Sequence, residues 1–262
     1  MMDHRPIATP QRSDPVTDPC RLLAEAASRV RILEARADLA HEGGQLGECS
    51  LILDGFVCRY KLLSEGRRQI LGFHIAGDMC GLAGFGLSRM DHSLATLSQA
   101  RIAVITRSTL RELTTQQPNL TSALWQQTLR DAAIAHEWMI NLGRRTAYQR
   151  IAHLLCEMGL RLQMAGRAQD NSFDWPVTQA TLADAMGLTP VHVNRVLQQL
   201  RGEGLIVLRG AKVTILDWDA LSDAAEFDPD YLGLTDQEGP LQCPRPARLR
   251  PVQEKFSGAL RQ

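Results

Sequence analysis

Residues 179–198 read QATLADAMGLTPVHVNRVLQ, and this stretch decides the architecture. Two short helices crossing at a steep angle need a small residue at the crossing, a turn residue free to take positive φ, and apolar residues facing inward. Ala183 is the small residue, and Gly187, four positions on, is the turn. Leu182, Met186 and Leu188 face inward from the first helix and the turn, and Val193 and Val196 from the second. Thr189-Pro190 opens the second helix, threonine as cap and proline at the first helical position. Seven spaced positions carry the required residue type, which marks a helix-turn-helix rather than an ordinary helical hairpin.

Downstream, Gly204-Leu-Ile-Val-Leu208 and Val213-Thr-Ile-Leu216 read as a β-hairpin whose tip is Arg209-Gly-Ala-Lys212, making a winged helix-turn-helix. Between 189 and 212 the basic residues are Arg195, Arg201, Arg209 and Lys212, against Glu203 as the one acid. The whole chain carries 29 basic and 29 acidic residues, so its charge balance does not point to nucleic acid and the relevant charge is local. Val191, His192, Asn194 and Arg195 lie on the exposed face near the start of the second helix, which enters the major groove in this motif. Arg195 suits guanine or a phosphate, and Asn194 suits adenine. Thr178, Gln179, Thr189 and Gln198 are placed at the DNA with them, and Arg209 and Lys212 of the wing on phosphates.

Upstream, Arg144-Arg145-Thr146 begins a helix running from Ala147 to about Met164, with Ile151, Leu154, Leu155, Met158 and Leu162 on one face. Before it, Pro118-Asn119 opens a proline-free stretch to Gly143 in which Leu120, Leu124, Leu129, Ala132, Ala135, Met139 and Leu142 recur at helical spacing. A helix of that length outruns a small domain, so its apolar stripe is expected to meet a partner helix in a homodimer; packing on the β-region is the alternative. From 36 to 108 the chain reads as short strands with turns: Ser50–Leu53, the pair Asp54-Gly55, Phe56–Leu63, Gln69–Ile75 and Ala100–Thr106. That spacing predicts an antiparallel roll or jelly roll.

The expected class is therefore α+β: a disordered arm over 1–20, a β-roll over 21–118, a dimerisation helix over 119–145, a winged helix-turn-helix over 146–225, and a disordered tail over 226–262. The arm and tail rest on their prolines, four in the first nineteen residues and five from Pro229 to Pro251. No apolar run approaches the roughly 18–20 residues of a membrane helix, and the first residues lack a signal-peptide core, so a soluble cytoplasmic protein is expected. Cys20, Cys49, Cys58, Cys80, Cys156 and Cys243 form no CxxC pair and read as free thiols.

The order of parts, with VTQATLADAMGLTPVHVNRVLQQLRGEGLI at 177–206 and LAHEGG, ILDG, AGDMCG and SLATL in the β-region, resembles the Crp/Fnr family of bacterial transcription regulators over about residues 22–221. The resemblance implies a homodimer, a β-roll sensor, a two-fold-symmetric DNA site and contact with RNA polymerase. It also implies an effector pocket, here at Gly81, Leu82, His92 and Ser93. Members that bind cyclic nucleotides carry Gly-Glu and Arg-Ser where this chain has Gly81-Leu82 and His92-Ser93, and their adenine-facing hydroxyls fall at Ala135 and His136. Leucine accepts no hydrogen bond, and a phosphate without its arginine is unpaired, so cyclic AMP is not expected. An iron–sulfur cluster is not expected either, since Cys20 stands alone in the N-terminal region; nor is haem, with His74, Cys80 and His92 read as structural. No metal site is expected. Where many members have a glutamate the reading helix has Val191, while the matching Arg195 is kept, so the DNA target should differ from the family's best-known sites. Two further readings are a cyclic-nucleotide-responsive regulator and a jelly-roll enzyme; the enzyme lacks the HxH metal pair, and catalysis is not expected.

Overall fold

The computed structural model describes residues 18–45, 47–82 and 89–233. The chain enters through α1 (Pro19–Glu25), which Asp18 caps by accepting from the Cys20 N–H at 3.0 Å. Strands β1 (Arg29–Leu33), β2 (Asp38–Ala40), β3 (Glu48–Asp54), β4 (Val57–Leu62), β5 (Arg68–His74), β6 (Met79–Cys80), β7 (Ser93–Thr96) and β8 (Ala100–Thr106) follow. They pair antiparallel as two four-stranded sheets, β1-β8-β3-β6 and β2-β7-β4-β5, which form the expected β-roll. Gly55 turns β3 into β4 with φ +92°, where a Cβ would sit 2.4 Å from the Gln99 carbonyl oxygen, so only glycine fits.

Thr106 ends β8 and caps α2 (Arg107–Gln116), a helix the sequence reading did not separate from its surroundings. Then come α3 (Pro118–Gly143) and α4 (Ala147–Met164). Thr146 and Gln149 close a reciprocal capping box at the start of α4. The rest is β9 (Ala168–Gln169), β10 (Ser172–Asp174), α5 (Gln179–Met186), α6 (Pro190–Gly202), β11 (Ile206–Arg209), β12 (Lys212–Ile215), α7 (Trp218–Ala225) and a 3-10 turn, Pro229–Leu232. The wing is therefore a four-stranded sheet, β11-β12-β10-β9, not a bare hairpin. Strands of two and three residues are too short to show a period in the sequence.

Both expected disordered ends need correction where the structure describes them. Asp18 caps α1 and residues 19 and 20 belong to it, because Cys20 and Leu23 bury against the roll. Residues 226–233 are folded: Phe227 and Leu232 are buried, and Tyr231 stacks on His153 with ring centroids 5.9 Å apart. Arg130 Nε, on α3, donates to the Leu232 carbonyl at 2.9 Å. Of the prolines that suggested disorder, Pro19 and Pro229 occupy first-turn positions, where a missing N–H costs nothing; the others lie outside the described residues. Residues 1–17 and 234–262 lie outside the described residues. Cys49, Cys58, Cys80 and Cys156 are free and buried. Cys20 is disulfide-bonded, contrary to the free-thiol reading, and Cys243 lies outside the described residues.

The roll and the C-terminal part share one apolar core, in which Phe73 of β5 meets Trp138 of α3 and Trp175, with ring centroids 5.6 and 6.3 Å away. A buried polar seam runs beside it. Arg161 of α4 donates to Asp78 Oδ2 and the Phe73 carbonyl, both at 2.9 Å, and to Glu157 Oε1 at 3.0 Å. Glu157 also accepts from Trp138 Nε1 and the Tyr231 hydroxyl. Burial alone would raise the Asp78 pKa; the Arg161 guanidinium, with His74 and the Ile75 N–H, overrides it and holds the carboxylate below its ordinary range. Burial wins at Glu157, whose carboxyl is pushed up. Arg68 pairs with Asp184 of α5 at 2.8 Å, and Arg167 with Asp54 at 3.2 Å.

Candidate functional site

The helix-turn-helix is built as its spacing requires. Thr178 caps α5, accepting from the Thr181 N–H at 3.1 Å, and Thr189 caps α6, accepting from the His192 N–H at 3.2 Å. Gly187 ends α5 in the left-handed region, at φ 63° and ψ 39°. A Cβ there would also touch Leu142 at 3.4 Å, so α3 packs directly against the turn. Leu182, Ala183, Met186, Val193 and Val196 are buried. Arg150 of α4 donates to the Met186 carbonyl at 3.0 Å and so satisfies a helix end that would otherwise be open.

That packing leaves one face of α6 outward. Val191 is 71% exposed. His192, Arg195 and Gln198 are exposed beside it, as are Thr178 and Gln179 at the start of α5. Asn194 is half-buried and donates its amide to Gln179 Oε1 at 3.2 Å, so these two predicted contacts form one unit rather than two free side chains. Arg209 and Lys212 face each other across the wing tip, both exposed, with Gly210 between them at φ 60°. Two acids lie nearby: Glu203 accepts from Tyr148 and from Gln199, which lowers its pKa through those two hydrogen bonds, and the exposed Asp174 of β10 stands opposite Lys212 in the wing sheet. Arg195, Arg201, Arg209 and Lys212 are exposed on α6 and the wing, cations of the kind that phosphate contact requires.

A second site lies between the roll and α3. A cavity of about 340 Å³ is lined by Arg59, His74, Cys80, Leu82, His92 and Asp131, among others. Gly81 also borders it, so three of the four expected pocket residues are there. Ser93 is not: successive strand residues point to opposite faces, and its hydroxyl accepts from the Glu42 N–H at 2.9 Å. Arg59, His74 and Asp131 were not anticipated as pocket residues, because no local pattern marks an inward charge on a strand or on one face of a helix. His92 holds Asp91 with Nδ1 at 2.8 Å, and burial keeps its pKa below the ordinary range in spite of that carboxylate. A neutral His92 and an apolar Leu82 do not fit a cyclic nucleotide held by phosphate and ribose. Ala135 lines the cavity, while His136 points out of the other side of α3.

The stripe expected to form a dimer seam divides in two. Leu120 and Leu124 are buried within the protomer, Leu142 is half-buried against Gly187, and Ala135 lines the cavity. Of the expected stripe, Leu129 and Met139 are 55% and 61% exposed, with Ala132 exposed between them; Trp125, 64% exposed, and His136 were not part of it and extend this outer face. Among the described residues no helix is long and apolar enough to cross a membrane. No group of three or more His, Cys, Asp or Glu side chains there could hold a metal ion.

The sequence matches two family models: the cyclic nucleotide-binding domain over residues 30–117 and the Crp-like helix-turn-helix domain over 149–224. It is 32% identical over 192 residues to a probable transcriptional activator of Rhizobium leguminosarum bv. viciae, covering 73% of this chain and 79% of that one. It is 27% identical over 204 residues to the transcriptional activator protein FnrL of Cereibacter sphaeroides, covering 76% and 82%. The solved structure of FixK2 from Bradyrhizobium japonicum superposes with a TM-score of 0.68 at 27% identity, over 75% of this chain and 96% of that one. With its helix-turn-helix, wing and β-roll, this chain is a DNA-binding transcription regulator and belongs to the Crp/Fnr family.

Proposed function

We propose that this regulator binds a two-fold-symmetric duplex as a homodimer joined along α3, with α6 of each protomer in a major groove and each wing on phosphates. The observation that carries this reading is the outer face of α3. Trp125, Leu129, Ala132, His136, Met139 and Gly143 follow one another at steps of 4, 3, 4, 3 and 4, the heptad spacing of a two-helix seam, and the large apolar ones are exposed. Monomeric proteins rarely leave such a stripe in water. A dimer would also double the modest positive charge of one reading head. Gly81, Leu82, His92 and the other cavity residues are the effector site, and the ligand is not cyclic AMP. RNA polymerase is the downstream partner, as the family resemblance implies.

Sedimentation and DNA titration of Leu129→Asp/Met139→Asp test it. Unpaired charges in the seam should cost about 3 kcal/mol or more. The variant should sediment as a monomer and lose at least about a hundredfold in affinity for the specific duplex. A wild-type monomer that binds its site one to one overturns the reading.

A further inference from the structure

We propose that the cavity takes a small organic acid with a hydrogen-bond donor at its far end, the carboxylate pairing with Arg59 on the roll and the donor meeting Asp131 on α3. The inference rests on reading the cavity as the effector site. It adds what that site recognises.

Arg59 projects from β4 and Asp131 from α3, so the cavity has a cation on one wall and a carboxyl on the other. Among the described residues neither side chain makes a hydrogen bond or ion pair, with the other or with anything else. His74, only 5% exposed, also lines the cavity, and its Nδ1 has no hydrogen-bond partner; Asp78 Oδ2 is 3.7 Å away. The buried His74 Nδ1 is costly to leave so, and the half-buried Arg59 and Asp131 have capacity that a ligand could use. The buried Arg161, by contrast, is bonded to both Asp78 and Glu157. Burial pushes the Asp131 carboxyl up, against the opposing pull of His74, so a donor beside it would relieve a standing penalty.

Besides His92 and Thr128, the rest of the lining is largely apolar, with Met79, Leu82, Leu94, Ala132 and Ala135. The ligand thus has an apolar body between its polar ends, and a volume near 340 Å³ sits at the small end of ligand sites. A guanidinium binds a carboxylate through two parallel hydrogen bonds, which fixes the ligand's orientation. The cation stands on β4, not at position 92, so the anion end lies elsewhere than a cyclic phosphate would.

The test is thermal-shift and calorimetric titration of the full chain with hydroxybenzoates, aminobenzoates and straight-chain ω-hydroxy and ω-amino acids, each beside its methyl ester. At least one acid should bind and change DNA affinity while its ester does not. Arg59→Leu, checked for an unchanged circular dichroism spectrum, should weaken that acid at least about tenfold. Arg59→Lys should keep part of the affinity, and Asp131→Asn should lower it with the selectivity for acid over ester intact. An ester that binds as well as its acid, full affinity in Arg59→Leu, or no binding by any acid overturns the ligand class. Ala135→Trp, which fills the cavity, separates this from the parent reading. If it leaves DNA affinity unchanged and no probe binds, the effector site itself is wrong; if it alters DNA affinity, only the ligand class is.

Discussion

In the helix-turn-helix and wing, every side chain proposed to contact DNA comes from one run of sequence, residues 178–212. In the cavity, Arg59, His74, Leu82, His92 and Asp131 come from β4, the end of β5, the exit of β6, the entry of β7 and α3. The head is set by backbone geometry over a few residues: a cap, a left-handed glycine, a second cap. Its outward face is what local packing leaves over. The cavity is set by how two sheets and a helix close on one another. Side chains in the head should therefore act one at a time, apart from the Asn194–Gln179 pair, whereas those around the cavity are tied to the whole fold.

The largest expected effect lies in the seam that joins the two regions. Arg161→Met leaves Asp78 and Glu157 buried without their cation and should cost about 3–5 kcal/mol in urea unfolding. The folded fraction should still prefer specific over random DNA as the wild type does, since no reading residue is touched. A loss under about 1 kcal/mol would mean that water replaces the guanidinium and that the regions are joined by their apolar core alone.

Next in size are single side chains of the head. Arg195→Ala should cost about 1–3 kcal/mol on the specific duplex and less on random DNA, as a base contact does. Lys212→Ala should weaken both duplexes alike and lower the salt slope by about one. Equal losses on both duplexes for Arg195→Ala would make it a phosphate clamp, and reading would fall to His192 and to Asn194 with Gln179.

The smallest effect sits where α3 meets α4. His153 is fully buried, and burial, with Arg145 adding to it, pushes its pKa down to about 3. Its Nδ1 meets Asn141 at 3.2 Å, and Tyr231 and Phe227 cover the ring. Nε2 is 3.5 Å from Glu137, a carboxylate already held by Arg145 at 2.9 Å. The folded pKa lies below the unfolded value of about 6.5, so in that window the unfolded chain binds a proton that the folded chain does not. Stability should therefore fall as pH drops through about 6.5, by roughly 1.4 kcal/mol between pH 7.5 and 5.5. His153→Gln should flatten that part of the profile when unfolding is followed against pH. An unchanged slope would mean that Glu137 accepts the protonated ring as a partner.

Much of the fold was legible. The expected strand Ala100–Thr106 and helix Ala147–Met164 match β8 and α4, and the long helix is off by a residue at its start. Strong periods and caps made these visible. α1 and the Pro229–Leu232 turn were missed because proline was read as a sign of disorder, when at a first turn it favours a helix. β9 and β10 were missed because two or three residues carry no period.

By itself the sequence determined the reading head, since each of its requirements falls within twenty residues and is met by residue type: Ala183 at the crossing, Gly187 at the turn, threonines at the caps. The family resemblance, in turn, implied that Leu82 and His92 stand where cyclic-nucleotide-binding members carry glutamate and arginine. Only the tertiary structure decided which apolar residues of α3 remain for a partner, because the same helix also serves the roll, the cavity and the helix-turn-helix. Helical spacing alone does not say which of these neighbours a residue meets. Only the tertiary structure, too, brought Arg59, His74 and Asp131 to one cavity. Charges 72 residues apart in sequence, as Arg59 and Asp131 are, meet when sheets and helix close, and no local pattern announces that.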